Sequence, residues 1–329
     1  MKVIPIKGFG NLGVSITNIT YPFIQSEMDE VSRLCREELV VVLSKINYTV
    51  SQFYELSNQI GVVSTHGQVR GVPTSHKTGY LDENDSLFLS SSILHEQTIV
   101  DLVKNEIKKG DVVIDIGAHI GYYTVLFAKL VGPKGRVFAF EASPTNFEIL
   151  KKNVNVNGYQ NVTLNNKAVS DKNGKLTLYI TGRTSTENFL FKPENFVGSS
   201  KIKDTIEIDS ITLDEYFRDF KGQINFLKMD ISGAEPRVIK GMGSILSKND
   251  SLKIQQEWWP NAIRTHGNEP DSHLKLLTQM DYKIYEIDGA KNKLNLVTSD
   301  DLMKTYPNSK LEDINIFCKK SPLLEAEKI

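Results

Sequence analysis

The stretch DVVIDIGAHIGYYT, residues 111–124, decides the fold of this chain. Its β-branched run Val112–Ile116 predicts a strand that is buried on both faces. Gly117 and Gly121 follow, and the apolar residues after them predict a helix that ends near Gly132. A strand, a glycine turn and a helix in that order predict the first half of a nucleotide-binding βαβ unit.

The glycine turn differs from both common phosphate-binding loops. A dinucleotide loop of the G-x-G-x-x-G type needs a glycine where this chain has His119, and a P-loop needs a longer glycine spacing followed by lysine. The pattern that remains is D-x-G-x-x-x-G, in which Asp115 places a carboxylate at the end of the strand. That carboxylate suits a ligand with a positive group, such as the ammonium of a methionine moiety.

A second acid strengthens this reading of the turn. Glu141 ends the next predicted strand, RVFAFEAS (136–143), 24 residues after Gly117. An acid at about that distance binds the ribose hydroxyls of a nucleoside. Two acids and two glycines at these spacings indicate S-adenosylmethionine in preference to NAD or ATP, whereas a βαβ unit with a tight turn and two surface acids is the purely structural alternative.

Strand-like and helix-like segments alternate from about residue 94 onward, which predicts a parallel sheet covered by helices. The later predicted strands are VTLNNKAVS (162–170), GKLTLYI (174–180), DTIEIDSITL (204–213), INFLKMDI (224–231), LKIQQEWW (252–259), YKIYEID (282–288) and INIFCKK (314–320).

The composition is that of an ordinary globular protein, with 40% hydrophobic and 24% charged residues among 329. A net charge of −1 provides no general attraction to nucleic acid, so no nucleic-acid partner is expected. Cys35 and Cys318 fit neither a disulfide framework nor a metal site. Because no apolar stretch resembles a secretion signal or a membrane span, we expect a cytoplasmic protein.

Residues 1–80 do not follow the alternating pattern and predict a small α+β accessory domain. Residues 65–79 are rich in Gly, Pro, Ser and Thr and resemble a linker. We therefore place the main domain at residues 81–320 and expect a solvated tail at 321–329.

Residues from about 85 to 318 resemble the FkbM-type family of S-adenosylmethionine-dependent methyltransferases. The resemblance is carried by GDVVIDIGAHIGYYT, FEASPTNFEILKKNVNVN, NKAVSD, ITLDEYF, INFLKMDISGAE and QEWWP, in that order. It implies a Rossmann-like class I α/β fold with a mostly parallel seven-stranded sheet and helices on both faces. It also implies metal-independent O-methylation of a hydroxyl on a small molecule or sugar.

The resemblance assigns residues to parts of the cofactor. The glycine turn and Asp115 hold the methionine portion, Glu141 holds the ribose, and Ala168 and Val169 flank the adenine. The predicted cofactor contacts are Asp115, Gly117, Ala118, His119, Gly121, Tyr122, Tyr123, Glu141, Ala142, Ser143, Ala168, Val169 and Asp230.

Three residues are candidates for the base that removes a hydroxyl proton. Asp230 follows a central strand, where crevice residues cluster, although it could instead contact the cofactor. Glu257 ends another strand, and a surface acid is the alternative. His119 has a useful pKa, but packing or a hydrogen bond within the loop is the alternative. Ser232 stands where the family often has Glu, so no carboxylate role transfers to it.

The first 70 residues are similar to the opening of the taurine-dioxygenase family of iron enzymes. That chemistry needs a His-x-carboxylate pair with a distant His, and no histidine of this chain begins such a pair. We therefore interpret this part as an accessory domain without an iron site, which could cover the cleft, form a homodimer or bind a partner.

Two other functions stay open from the sequence. One is methylation of RNA or protein, against which the near-zero net charge counts mildly in the case of RNA. The other is a non-catalytic S-adenosylmethionine-binding or scaffold module.

Overall fold

The structure is a computed structural model that describes residues 96–321, apart from 182–187, 193–201 and 308–312, together with five short strands nearer the amino terminus. The chain divides into two units, Met1–Phe53 and Tyr54–Ile329. The five strands are β1 (Val3–Ile4), β2 (Val14–Ser15), β3 (Val62–Val63), β4 (Gln68–Arg70) and β5 (Thr78–Tyr80). The rest of the predicted accessory domain and nearly all of the predicted tail lie outside the described residues, so both stay predictions.

The main unit alternates strands and helices along the chain, as predicted. Its strands are β6 (Val112–Ile116), β7 (Arg136–Phe140), β8 (Val162–Asn165), β9 (Ala168–Val169), β10 (Gly174–Thr181), β11 (Asn188–Phe189), β12 (Ile202–Ile211), β13 (Phe226–Met229), β14 (Lys253–Trp258), β15 (Lys283–Asp288), β16 (Lys293–Val297) and β17 (Ile314–Lys319). Its helices are α1 (Gln97–Glu106), α2 (Tyr122–Val131), α3 (Pro144–Val156), α4 (Leu213–Tyr216), α5 (Glu235–Lys240), α6 (Gly243–Lys248), α7 (Pro260–Thr265), α8 (Ser272–Gln279) and α9 (Ser299–Thr305).

Eight of the described strands form the main sheet, in the order β16-β15-β17-β14-β13-β6-β7-β8. The five strands from β14 to β8 are parallel, and β17 pairs antiparallel with both β14 and β15. This is the predicted Rossmann-like class I fold. The sheet has one strand more than the predicted seven, because β16 folds back on β15 as an antiparallel edge strand.

Helices cover both faces of the sheet, and the alternation of side chains along each strand explains why. Val113 and Phe226 are register partners and pack into the core beneath α1 and α2. Ile114 and Leu227 are the next register pair and pack into the opposite core, with residues of α5, α6 and α8. Consecutive apolar residues are therefore needed on each central strand.

A second, four-stranded sheet is inserted between β8 and β13, in the order β11-β10-β12-β9. The sequence predicted a strand with its loop over residues 162–170, and the structure divides this stretch into β8 and β9, which join different sheets. The second sheet contributes Leu178 and nearby Leu190 to the wall of the crevice described below.

The described helices include none that is both long enough and apolar enough to cross a membrane.

Candidate active site

The turn between β6 and α2 depends on left-handed backbone conformations. Gly117 and Gly121 have φ values of +76° and +94°, and His119 has a φ of 51°. A Cβ atom on Gly117 would lie 2.1 Å from the backbone oxygen of Asp230, at the end of the neighbouring strand β13. The turn therefore packs directly against that strand end, and only glycine fits at this position.

Glu141 connects this turn with the start of α3. Its carboxylate accepts hydrogen bonds of 2.8 Å from the backbone N–H groups of His119 and Ser143. Burial raises the pKa of Glu141 from its ordinary value of 4.5 to about 7, although these two hydrogen bonds oppose the shift. The acid predicted to bind ribose is thus positioned by the glycine turn between β6 and α2.

Asp115 is completely buried at the end of β6. Its Oδ2 accepts a hydrogen bond of 2.5 Å from the Thr124 hydroxyl, while its Oδ1 is buried and has no partner among the described residues. Burial raises the pKa of Asp115, and the Lys228 ammonium partly offsets this effect. An unsatisfied buried oxygen is costly, and a ligand's ammonium group would satisfy it.

A crevice opens at the carboxyl ends of β6, β7 and β13, where ligands bind in open α/β sheets. Seven predicted site residues line it: Gly117, His119, Glu141, Ala142, Ala168, Val169 and Asp230. The other predicted residues are not part of its lining: Asp115, Ala118, Gly121, Tyr122, Tyr123, Ser143 and Glu257. The sequence did not identify further lining residues, which include Asn146, Lys167, Leu178, Asn188 and Leu190.

Asp230 lies at the rim of the crevice with its side chain 43% exposed. Its Oδ2 accepts a hydrogen bond of 3.1 Å from the Nζ of Lys228, a lysine that is only 2% exposed. Lys228 was not among the predicted site residues. The sequence does contain an indication of its importance, because Lys228 is the one charged residue in the otherwise mostly apolar strand segment INFLKM.

The other two acids near this strand end hold the turn that follows β13. Glu235 accepts from the backbone N–H of Ile231 at 3.0 Å, and Glu257 accepts from that of Ser232 at 3.1 Å. Burial raises the pKa of Glu235 to about 7 and that of Glu257 well above its usual range. Both carboxyls therefore position backbone, and Glu257 as a base stays a prediction.

The tyrosines and tryptophans singled out by the sequence are mainly packed. Tyr122 and Tyr123 are buried, and the Tyr123 hydroxyl donates to Glu96 at 2.8 Å. Trp258 is completely buried and donates from Nε1 to the Pro270 carbonyl at 2.9 Å, whereas Trp259 is partly exposed.

Comparison with known proteins identifies the family. The family model for the methyltransferase FkbM domain matches residues 115–284, just over half of the chain. Methyltransferase sdnD of Sordaria araneosa is 25% identical over an alignment of 180 residues, and the alignment covers 46% of this chain and 68% of that protein. A protein-L-isoaspartate O-methyltransferase of Ignicoccus hospitalis is 37% identical, but only over 59 residues, 18% of this chain and 28% of its own.

A solved structure, methyltransferase FkbM from Methylobacillus flagellatus, is also similar to this chain. It is 17% identical with a TM-score of 0.37, and the similarity covers 65% of this chain and 44% of that one. The family match includes the glycine turn, Glu141 and Asp230, the residues around which the crevice is built. The chain therefore belongs to the FkbM methyltransferase family, and its cofactor is S-adenosylmethionine.

Proposed function

We propose that this methyltransferase methylates a hydroxyl group of a small molecule or sugar and that Asp230 is the base. The observation that carries the proposal is a partly exposed carboxylate at the rim of the crevice, which is lined by predicted cofactor residues. Of the other two candidates, Glu257 is buried outside the lining. His119 lines the crevice and donates its backbone N–H to Glu141, so its imidazole stays the alternative base.

Residues that line the crevice, together with Asp115 buried beside it, fit S-adenosylmethionine in three separate places. The unpartnered Oδ1 of Asp115 would accept from the ammonium of the methionine portion, and Glu141 would accept from the ribose hydroxyls. Apolar residues at the far side of the crevice, Ala168, Val169 and Leu178, would pack against the adenine. When bound, S-adenosylmethionine supplies an electrophilic methyl group.

The chain's own contribution to the reaction is to orient the acceptor and to remove its proton. A hydroxyl is a poor nucleophile at neutral pH, so a carboxylate within hydrogen-bond distance of its proton assists the displacement. Asp230 can act as this base because the Lys228 ammonium fixes the orientation of its carboxylate by donating to one oxygen, Oδ2. A carboxylate has further lone pairs with which to accept the hydroxyl proton.

The test combines binding with methyl transfer. Calorimetric titration with S-adenosylmethionine and S-adenosylhomocysteine should show that both bind. Transfer of tritiated methyl groups is then followed into separated small-molecule, glycan, RNA and protein fractions of a cell extract. We expect label in the small-molecule or glycan fraction that survives mild alkali, as a methyl ether does.

The other outcomes contradict particular parts of the proposal. Label that alkali releases as methanol would indicate a methyl ester and a carboxylate acceptor. Label confined to RNA or protein would show that the acceptor is a macromolecule of that class and not a small molecule or sugar. Tight cofactor binding without transfer to any fraction would favour the non-catalytic module.

A further inference from the structure

Lys228 is a buried lysine on the central strand β13, next to the proposed cofactor residues. It is the parallel register partner of Asp115 on β6, so the two side chains lie on the same face of the sheet. Its Nζ donates to Asp230 and lies 4.7 Å from the centroid of the Tyr123 ring. The ammonium is therefore enclosed by an aromatic ring of α2 and the acids of two strands.

The charged groups that act on Lys228 are all negative. Burial alone lowers the pKa of Lys228, but Asp230, Asp115 and Glu96 outweigh it and raise the pKa. Asp115 in turn interacts with Lys228, with Asp230 and with Glu141. Lys228 is thus the cation that compensates a group of acids, two of which we assign to the cofactor and to the acceptor.

Packing alone does not explain a lysine at this position. The neighbours Leu227 and Met229 are apolar and completely buried. Replacing a buried ion pair by apolar residues of similar volume is often neutral or stabilising. Methionine at position 228, with apolar residues in place of the two acids, would therefore serve the core equally well. What it could not supply is the positive charge.

We propose that Lys228 is a positioning residue of the cofactor site, whose ammonium keeps Asp115 charged for the cofactor and holds the Asp230 carboxylate by a hydrogen bond on the acceptor side. This inference rests on the proposed function, in which Asp115 accepts from the cofactor's ammonium. Without Lys228, the neighbouring acids repel one another and Asp115 binds a proton more readily. A neutral Asp115 loses its ionic attraction for the methionine portion.

The test compares two ligands that differ only where Asp115 acts. S-adenosylhomocysteine has the amino-acid portion, whereas 5′-methylthioadenosine has the ribose and adenine without it, and both are neutral thioethers at the sulfur. Calorimetric titration of both ligands is repeated from about pH 4, near the ordinary aspartate pKa, to about pH 9, because burial raises the pKa of Asp115. The ratio of the two affinities isolates the amino-acid portion from Glu141.

In the wild-type protein this ratio falls at acidic pH, where Asp115 binds a proton. Lys228→Met should move the midpoint of that fall upward by about one pH unit or more, the usual effect of an opposite charge. Lys228→Arg keeps the charge and should restore the wild-type midpoint. The matched control is Lys253→Met. Lys253 begins β14, at the amino ends of the parallel strands and away from the crevice, and pairs with Glu106 of α1. Its replacement should leave the midpoint unchanged.

Loss of affinity at every pH without a shift of the midpoint would overturn the inference, because that is what a merely structural lysine predicts. If Lys228→Met does not fold, Lys228→Gln gives the same readout, since it keeps a donor for Asp230 without the charge. Asp115→Asn tests the role of Asp115 in cofactor binding separately from the role of Lys228. If it leaves the affinity ratio unchanged, the proposed role of Asp115 is wrong, whatever Lys228 does.

Discussion

Replacing Glu141 by glutamine tests the acid on which the nucleoside assignment depends. The carboxylate is 7% exposed and accepts from two backbone N–H groups, those of His119 and Ser143. Glutamine has one acceptor oxygen, so its NH₂ group faces one of these donors. Leaving a buried donor unsatisfied costs about 1–3 kcal/mol, and we expect the free energy of unfolding to fall by that amount near pH 4.5, where the wild-type carboxyl is still protonated in the folded protein.

The same substitution weakens cofactor binding. A hydrogen bond to a charged group contributes about 1.5–3 kcal/mol, and about 1.4 kcal/mol is a tenfold change in affinity. If the ribose loses one such bond, Glu141→Gln should raise the dissociation constants of both S-adenosylmethionine and 5′-methylthioadenosine by about 10- to 100-fold. Titration calorimetry at about pH 8, where a carboxyl with a pKa of about 7 is mostly ionised, measures this change.

The pH dependence provides an independent check of the same residue. Folding raises the pKa of Glu141 from 4.5 to about 7, so the folded protein holds a proton that the unfolded chain releases between these values. This residue therefore makes the ligand-free protein less stable as the pH rises from 4.5 to about 7. In urea unfolding, the free energy of unfolding of the wild-type protein should decrease with pH over this range. Glu141→Gln should make that decrease smaller by up to about 1.4 kcal/mol per pH unit, while the part of the decrease that is due to Glu235 remains.

The matched control for Glu141 is Glu148→Gln on helix α3, which follows Glu141 in the chain, where the acid is exposed and paired with Lys151. That variant should match the wild-type protein in affinity and in pH dependence. If Glu141→Gln binds both ligands as the wild-type protein does at about pH 8, the ribose assignment is refuted. The same conclusion follows if its affinity falls no further than that of the control.

Three further substitutions test the turn, the base and the core. Gly117→Ala should destabilise the protein by more than Gly110→Ala in urea unfolding: both glycines have positive φ, which costs other residues about 1–2 kcal/mol, but only at Gly117 would a Cβ meet backbone. Asp230→Asn should reduce the rate of methyl transfer more than it reduces affinity for S-adenosylmethionine in calorimetry, and equal losses would indicate a cofactor contact instead. Trp258→Phe leaves the Pro270 carbonyl without its donor, so it should cost about 1–3 kcal/mol of stability and leave cofactor affinity unchanged; weaker binding would place Trp258 at the site.

The sequence predicted those parts of the site that depend on local order along the chain. The turn after β6 could be identified because its glycines and Asp115 are close in sequence, and Glu141 could be identified because a βαβ unit has a regular length. The residues of the second sheet that reach the crevice could not be predicted. Leu178 lies on the second sheet and Leu190 directly follows its strand β11, and the position of that sheet over the crevice depends on long-range strand pairing.

The sequence by itself determined the fold class and, through the matched motifs, the family and its cofactor, because alternating strands and helices with a glycine turn have few ways to pack. Only the tertiary structure decided which acids face the crevice and which hold backbone. Asp230, Glu235 and Glu257 all follow or flank strand ends, yet only Asp230 lines the crevice. The tertiary structure also brought Lys228 beside Asp115, since strands more than 100 residues apart in sequence are register partners in the sheet.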